Sequence, residues 1–504
     1  MEKKKYVLTI DQSTQGTKAI LFDQDGKLFC RTDLPHKQIV NDKGWVSHNL
    51  EEIYENTIRA AKKVVDKAGI DKSEIMCLGI SNQRETSAAW ERNTGRPLAH
   101  AIVWQCSRAE IICEKIKNNV LIAPEREREG INSAADIIKM KTGINLSAYF
   151  PAAKYAWLQE NVEDVKQAKK EGNLCFGTID SYLIYRLTGG KTYATDYSNA
   201  SRTQLYNIHT LEWDTEICNW FGIRTTELPE VRDSNADFGL ADFEGYFTHP
   251  IPICGVIGDS QAALFGQGCI EQGMVKATYG TGSSVMMNMG RECVASEKGL
   301  VTSLAWGIDG TVNYVLEGNI NYTGAVITWL KDDMGLIASP NETEALAREA
   351  NKSDKTYLVP AFSGLGAPYW QPEAKAIIYG MSRTTGKKEI IKAALNSIAY
   401  QIADVIHAMQ DERKISELCV DGGPTKNGYL MQFQSDILGV NVRTPQCEES
   451  SALGAAYIAG LSIGFYDWKC IFTKSNRECF CPIMTGRERK EKYEGWKTAV
   501  GKIM

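Results

Sequence analysis

The sequence lacks the features typical of secreted, membrane-spanning or zinc-stabilised proteins. None of its 14 cysteines has the C-x-x-C spacing of a zinc site or a redox pair, and Cys479 and Cys481 are too close together for tetrahedral zinc. The apolar run near the N-terminus is too short for a signal peptide. The most apolar stretch, 452–465, is shorter than the roughly 20 residues that cross a bilayer. We therefore expect reduced thiols in a cytoplasmic protein without a membrane span.

The chain also has no strong charge bias and no short internal repeat. Its 504 residues include 57 basic and 62 acidic side chains, which gives a net charge of −5. Nucleic-acid-binding domains are usually basic, so we expect no nucleic-acid partner. Solenoids and propellers, which repeat every 20–50 residues or so, are excluded as well. The hydrophobic fraction of 43% is that of a folded globular protein.

Short apolar strands that end in polar clusters alternate with helical patterns, which indicates α/β architecture. Strands are predicted at 6–10 and 19–22 around a turn of small residues, and a helix is predicted to end at Gly69. A second strand and small-residue turn begins at 275. This recurrence predicts a duplicated α/β domain, with an N-terminal domain over 1–264 and a C-terminal domain over 265–504.

Two of these turns have the composition of phosphate-binding loops. Residues 11–18 read DQSTQGTK and residues 280–282 read GTG. Backbone N–H groups and hydroxyls in such turns can hold phosphate oxygens, Lys18 adds a positive charge, and Asp11 can hold Mg²⁺ through water. A purely structural hairpin turn is the alternative for each. The sequence has neither a P-loop nor the glycine-rich loop of protein kinases.

Other polar groups follow predicted strands and suggest an acceptor site. Asp259 follows an apolar strand and can accept a proton from a hydroxyl, or it can cap the next helix. Arg84 and Glu85 can hydrogen-bond vicinal hydroxyls, or they can form a surface ion pair. Trp104 can provide a flat apolar wall, or it can be a core residue. The glycine-rich segment 421–427 either approaches a ligand closely or forms a structural turn.

Several longer segments, taken together, are similar to one family. They are 81–86 (SNQRET), 101–105 (AIVWQ), 176–180 (FGTID), 195–203 (TDYSNASRT), 278–282 (TYGTG), 360–370 (PAFSGLGAPYW) and 431–439 (MQFQSDILG). On these segments the chain resembles the FGGY family of carbohydrate kinases, and within that family the glycerol kinases. The resemblance implies two actin-like, ribonuclease-H-like domains on either side of a cleft. It also implies a homodimer that uses ATP and Mg²⁺ to phosphorylate a primary hydroxyl of a small polyol or sugar.

Matching motif positions give the site residues that the resemblance implies. Asp259 is the general base and Asp11 the residue that helps to hold Mg²⁺. The substrate site is formed by Arg84, Glu85, Trp104, Tyr149, Asp259, Ser260 and Ser284. The nucleotide and phosphate site is formed by Thr14, Gln15, Lys18, Thr281, Gly324, Thr328, Gly423 and Asn427.

Several of these positions depart from the glycerol kinase pattern, including Gln15, Lys18 and Thr328, and two of them lie in the substrate site. Ser260 stands where that pattern has glutamine, and Ser284 stands where it has an aromatic residue. Two small hydroxyl residues predict a larger and more polar pocket, so a four- or five-carbon polyol or ketose is an alternative substrate. An actin-like ATPase without a sugar substrate and a catalytically inactive sugar sensor are the more remote alternatives.

Overall fold

Two β-sheets, one in each half of the chain, organise the computed structural model, which describes residues 4–120, 131–296, 298–410, 415–445, 447–472 and 478–504. The first sheet has six strands, in the spatial order Leu240–Ala241, Ile251–Gly258, Ile75–Asn82, Tyr6–Gln12, Gly16–Phe22 and Leu28–Pro35. The last three form an antiparallel meander, and the strands at Ile75 and Ile251 add to it in parallel.

The second sheet has the same plan with one further strand. Its seven strands are, in spatial order, Val301–Ile308, Thr311–Ile320, Ser283–Gly290, Val275–Tyr279, Glu417–Asp421, Asn441–Arg443 and Cys479–Phe480. The hairpin of Val275–Tyr279 and Ser283–Gly290 is antiparallel, and the strands at Glu417 and Asn441 again add in parallel. Both hairpins therefore present their turns at equivalent places, as the recurrence in the sequence predicts.

Shorter strands form small sheets beside these two. They pair as Ala88–Glu91 with Leu174–Gly177, Ala194–Asp196 with Glu230–Arg232, Tyr206–Asn207 with Glu212–Trp213, Tyr357–Val359 with Ile377–Tyr379, and Gln38–Val40, Val46–His48 and Ala101–Ile102 as a group of three. The α-helices span Leu50–Ala68, Glu110–Asn119, Ala134–Thr142, Pro151–Asn161, Glu163–Lys170, Ile179–Leu187, Tyr197–Ala200, Thr215–Trp220, Asp259–Gly266, Gly324–Thr328, Glu342–Glu349, Lys387–Gln410, Gly428–Leu438, Ser450–Ser462, Trp468–Ile471 and Gly486–Val500.

Local signals account for the limits of the first helix, Leu50–Ala68. Asn49 caps it by accepting a hydrogen bond from the Glu51 N–H, and Gly69 ends it in the left-handed conformation at φ 64°. The predicted helix end at Gly69 is confirmed. No helix in the described part of the chain is both long and apolar enough to cross a membrane. Cys77, Cys106 and Cys175 are buried free thiols.

The helix Ser450–Ser462 comes late in the sequence but packs on the first sheet. Gly79 and Gly255 make this close approach possible. A Cβ on Gly79 would lie 2.5 Å from the Ala455 oxygen, and a Cβ on Gly255 would lie 2.7 Å from the Ala459 nitrogen. The chain thus returns from the second half to the first. The division between residues 264 and 265 stays a prediction.

Candidate active site

Polar side chains from both sheets meet in a cavity of about 200 Å³. Asp11 and Lys18 reach it from the first hairpin, and Asp259 reaches it from the end of the strand Ile251–Gly258. Its lining also includes Ser260, Ala263, Lys276, Thr278, Asp421, Gly422, Glu448, Glu449, Ser450 and Ser451. The first sheet therefore brings together the predicted base and residues 11–18, the first phosphate turn, and the second sheet contributes Lys276, Thr278 and Asp421 to the same cavity.

Asp259 is the first residue of its helix and has a 37% exposed side chain. The helix cap is Gly258, so the alternative of Asp259 as the cap is wrong. Its Oδ1 accepts the Ser260 N–H at 2.6 Å and lies 3.3 Å from Arg84 Nε. Burial raises the pKa of the Asp259 carboxyl above its ordinary value, and Arg84 offsets only part of this effect. A carboxylate of raised pKa at an accessible position is suited to accept a proton.

Arg84 belongs to a buried charge cluster that crosses between the sheets. Its two terminal nitrogens donate to Glu317 of the second sheet at 3.1 and 3.0 Å. Arg202 lies 2.8 Å from Glu317 and donates from Nε to Glu85 at 2.6 Å. Burial alone would raise the pKa of Glu317, but Arg202 and Arg84 together hold it below its ordinary value. The alternative of a surface ion pair for Arg84 and Glu85 is therefore wrong, because both side chains are buried.

Glu85 has an uncommon backbone conformation, with φ 61° in the left-handed region. Buried Lys154 holds it there by donating to the Glu85 carbonyl at 3.4 Å, and it also donates to the Tyr149 carbonyl. Burial lowers the pKa of Lys154 to about 7. Backbone strain of this kind is often found at functional sites, where the surrounding contacts maintain it.

Trp104, the predicted apolar wall, and Tyr149, another residue of the predicted substrate site, have neighbouring rings. The rings of Trp104 and Tyr149 lie 5.4 Å apart, tilted by 55°. Trp104 Nε1 donates to Thr14 Oγ1 at 2.9 Å, which ties the wall to the first phosphate turn. Trp104 is half-buried, as a wall residue would be.

The two small residues at the departing positions have different neighbours. Ser260 lines the cavity beside Asp259. Ser284 donates from Oγ to Glu317 Oε1 at 3.1 Å, so it adjoins the Arg84 cluster. The structure thus places one serine beside the predicted base and the other beside the predicted acceptor groups.

The first phosphate turn is held by charged side chains. Lys18 Nζ lies 3.7 Å from Asp11 Oδ2 and 2.6 Å from Glu449 Oε2. Burial raises the pKa of Asp11 to about 6, although Lys18 acts in the opposite direction. Gln15 is exposed at the tip of the turn.

Residues 280–282, the second phosphate turn, are held by backbone hydrogen bonds. The Gly324 N–H donates to the Gly280 carbonyl at 2.9 Å, and the Ala325 N–H donates to the Thr281 carbonyl at 3.1 Å. Gly282 packs so closely that a Cβ there would lie 2.3 Å from the Ile320 oxygen. This turn leaves no room for a larger residue at that glycine.

A larger cavity, of about 510 Å³, adjoins the second turn. Gly324, Thr328, Gly423 and Asn427 all line it, together with apolar Ile327, Leu395, Ile398 and Leu430. Asn427 caps the helix Gly428–Leu438 by accepting the Leu430 N–H at 3.0 Å. The cavity thus brings together four of the predicted nucleotide-site residues, and Thr281 lies in the adjoining turn.

The structure also adds residues to the site that are not among the predicted site residues. Lys276 and Asp421 line the cavity beside Asp259, and Arg202 and Glu317 belong to the buried cluster. Lys276 and Glu317 each interrupt a buried strand with a charge. Charged residues are rarely buried without a partner, so these interruptions are the signal that could have identified them.

Comparison with known proteins agrees with this geometry. Residues 6–266 match the N-terminal domain of the FGGY family of carbohydrate kinases, and residues 275–463 match its C-terminal domain. The chain is 46% identical to "Glycerol kinase" of Caldanaerobacter subterraneus subsp. tengcongensis and 47% identical to "Glycerol kinase 1" of Thermotoga maritima. Each comparison covers 99% of this chain and 99% of the relative.

Solved structures give the same result. The crystal structure of Plasmodium falciparum glycerol kinase with ADP has a TM-score of 0.91 and 34% identity, and the match covers 100% of this chain and 99% of that one. Gluconate kinase from Lactobacillus acidophilus has a TM-score of 0.85 and 20% identity, covering 99% and 97%, and shows a shared fold alone. The chain therefore belongs to the FGGY family of carbohydrate kinases, with the family's two actin-like domains, and is an ATP- and Mg²⁺-dependent phosphotransferase that acts on an alcohol group.

Proposed function

We propose that this kinase phosphorylates a primary hydroxyl of a small polyol, with Asp259 as the general base. The observation that carries this proposal is the cavity in which Asp259 lies between the first phosphate turn and the second sheet. The hydroxyl oxygen attacks the γ-phosphorus of ATP while its proton passes to the Asp259 carboxylate. The new bond joins the acceptor oxygen to phosphorus, the bond to the ADP oxygen breaks, and ADP leaves.

The acceptor is held by side chains around Arg84. In this proposal Arg84 and Glu85 hydrogen-bond its hydroxyls, and the rings of Trp104 and Tyr149 cover its carbon chain. Arg84 Nε supports this role, because it is buried and has no well-aligned hydrogen bond within the protein. A hydroxyl beside Asp259 would satisfy it.

The nucleotide occupies the 510 Å³ cavity, with its phosphates between the two turns. Gly324, Thr328, Gly423 and Asn427 contact the nucleoside part. Thr14, Gln15, Lys18 and Thr281 hold the phosphates. Phosphoryl transfer depends mainly on positioning and charge neutralisation, which Lys18 and the backbone N–H groups of the turns can provide.

The residues beside the phosphate turns fit Mg²⁺. Mg²⁺ is commonly held by one or two carboxylates together with substrate phosphates and water. Asp11 supplies one carboxylate, and Asp421 in the same cavity has a buried Oδ1 without a hydrogen-bond partner. No group of three or more metal-ligating side chains occurs in the described ranges, which agrees with an ion held largely by the nucleotide. When bound, Mg²⁺ neutralises phosphate charge.

Two acceptor classes are candidates. Glycerol is the first, since the relatives compared above are named glycerol kinases. A four- or five-carbon polyol or ketose is the second, and the small side chains of Ser260 and Ser284 favour it. Each serine offers a hydroxyl and leaves more room than the glutamine or aromatic side chain that the glycerol kinase pattern has at that position.

ADP release measured with and without a panel of acceptors tests this function. We expect ADP release to depend on a polyol or sugar, with little ATP turnover in its absence. Equal turnover without any acceptor would instead support an actin-like ATPase. Binding of a polyol without any ADP release would indicate an inactive sensor.

We also propose a cytoplasmic location and a homodimer. The free thiols of Cys77, Cys106 and Cys175 and the use of ATP support the first. Fractionation and sedimentation velocity are the measurements that test them.

A further inference from the structure

We propose that Glu317 is a positioning residue of the acceptor site, although it lies on the opposite sheet. It is fully buried on the strand Thr311–Ile320, whereas Arg84 and Arg202 belong to the first half of the chain. This inference rests on the proposed function, because it concerns how the proposed acceptor group Arg84 is oriented.

Glu317 uses both of its oxygens to fix its neighbours. Oε1 accepts Arg84 Nη2 at 3.0 Å and Ser284 Oγ at 3.1 Å. Oε2 accepts Arg84 Nη1 at 3.1 Å and lies 2.8 Å from Arg202 Nη1. A bidentate pair of this kind fixes the plane of the guanidinium as well as its position. With both terminal nitrogens of Arg84 engaged, Nε is the donor that remains directed at Asp259.

The charges around Glu317 explain why the site depends on it. Two guanidiniums, of Arg84 and Arg202, face the three carboxylates of Glu85, Asp259 and Glu317. Without the Glu317 charge, Arg84 keeps two charged partners, Asp259 and Glu85, and the neutral Gln261, whose Oε1 accepts Arg84 Nη1 at 3.2 Å. The terminal nitrogens of Arg84 would then hydrogen-bond to Asp259 and Glu85. Neither carboxylate would remain available, Asp259 to accept the proton or Glu85 to bind the acceptor. The expected loss is in acceptor binding and transfer, with nucleotide binding preserved.

Glu317→Gln tests this role because it keeps the shape of the side chain and removes its charge. We expect the KM for glycerol and for erythritol to rise at least tenfold, the KM for ATP to stay within twofold, and kcat to fall. Asp309→Asn is the matched control. Asp309 accepts Asn235 Nδ2 at 2.8 Å in an exposed contact between the two halves of the chain, away from the site. This control should leave the three KM values and kcat unchanged.

Thermal melting of each variant separates positioning from stability. If Glu317→Gln does not fold, Glu317→Asp is tested instead, because it keeps the charge but shortens the side chain. The KM for the acceptor is then expected to rise by a smaller factor, again without a rise in the KM for ATP. A fall in kcat alone together with a lower Tm would show a merely structural role and overturn the proposal. A parallel rise in both KM values would show a role in joining the two halves and would overturn it as well.

The wild-type protein in the same assay keeps the two proposals apart. If it releases ADP only with glycerol or erythritol present but Glu317→Gln behaves like the control, the inference about Glu317 fails while the proposed function stands. If the wild type shows no acceptor-dependent ADP release, the proposed function fails and this inference fails with it.

Discussion

The two phosphate turns occupy equivalent places in equivalent sheets, and a backbone hydrogen bond closes each, from the Ser13 N–H to the Gly16 carbonyl and from the Gly280 N–H to the Gly282 carbonyl. The further contacts that hold them differ. The first depends on side chains, since Lys18 pairs with Asp11 and Glu449, and Trp104 bonds Thr14. The second depends on backbone hydrogen bonds around Gly280 and on close packing at Gly282.

Both turns are proposed to hold phosphates, but the first half is also proposed to bind the acceptor, whereas the second is proposed to bind the rest of the nucleotide. A polyol offers hydroxyls in a specific arrangement, which directional side chains such as Arg84 and Glu85 can distinguish. Phosphates need several N–H donors at short range, which a tight glycine turn supplies. Substitution of polar side chains in the first half should therefore alter acceptor binding and phosphoryl transfer. Substitution of a tightly packed glycine in the second half should alter nucleotide binding.

The largest effect is expected from Asp259→Asn. Loss of the proposed base should lower turnover by about 10²–10⁴-fold, while nucleotide binding changes only a few-fold. ADP release at saturating acceptor measures this, with Asp309→Asn as the control. A variant that kept more than about a tenth of wild-type turnover would remove Asp259 from the role of base.

Gly282→Ala should produce the complementary effect in the second half. Its Cβ would lie 2.3 Å from the Ile320 oxygen, and overpacking of this kind costs about 1–3 kcal/mol. Because relief of this overlap must displace the turn from the phosphates, we expect the KM for ATP to rise about tenfold, a loss of about 1.4 kcal/mol of binding free energy, with the acceptor KM little changed. Gly486→Ala, where a Cβ meets nothing within 4 Å, is the control. An unchanged KM for ATP would contradict the claim that the tightly packed backbone of the second turn binds the phosphates.

A smaller effect is expected in the choice of acceptor. A polyol or sugar of four or more carbons should have a higher kcat/KM than glycerol, because each buried methylene contributes about 0.8 kcal/mol. Ser260→Gln combined with Ser284→Phe should move the preference back toward glycerol. If the wild type already phosphorylates glycerol best, at a micromolar KM, the larger-pocket hypothesis is wrong.

The smallest effect concerns pH and Lys154. Its pKa is about 7 in the folded protein and near 10.4 when unfolded, so the unfolded state binds more protons between these values. The free energy of unfolding should therefore rise from pH 7 to pH 9, by about 2 kcal/mol relative to Lys154→Met, and stay level below pH 7. Urea melts at a series of pH values measure this difference. Parallel curves for the two proteins would show that Lys154 keeps its charge.

Much of the fold was predictable because its signals are local. The strand 275–279 and the helix end at Gly69 were predicted from alternation and capping, and both are confirmed. The packing of Ser450–Ser462 on the first sheet was not predicted. The Gly and Ala residues of this helix indicate that it is buried, but they do not indicate which element covers it. The contacts at Gly79 and Gly255 show that its partner is the first sheet.

The same limit applies to the site. Residues that follow strands, such as Asp259 and Arg84, could be proposed from their positions. The partnership of Arg202 and Glu317 could not, because it joins distant segments of the chain: Arg202 lies within the segment 195–203 and Glu317 lies inside the strand Thr311–Ile320. A buried charge inside a strand signals that a partner exists but does not identify it.

Separate titrations of Arg84→Met with glycerol or erythritol and with a non-hydrolysable ATP analogue, by calorimetry, test the division between the two halves most directly. The account predicts that the polyol Kd rises at least tenfold while the nucleotide Kd stays within twofold of the wild type. A parallel rise in both Kd values would contradict it, since it would show that the two ligands do not depend on separate halves of the site.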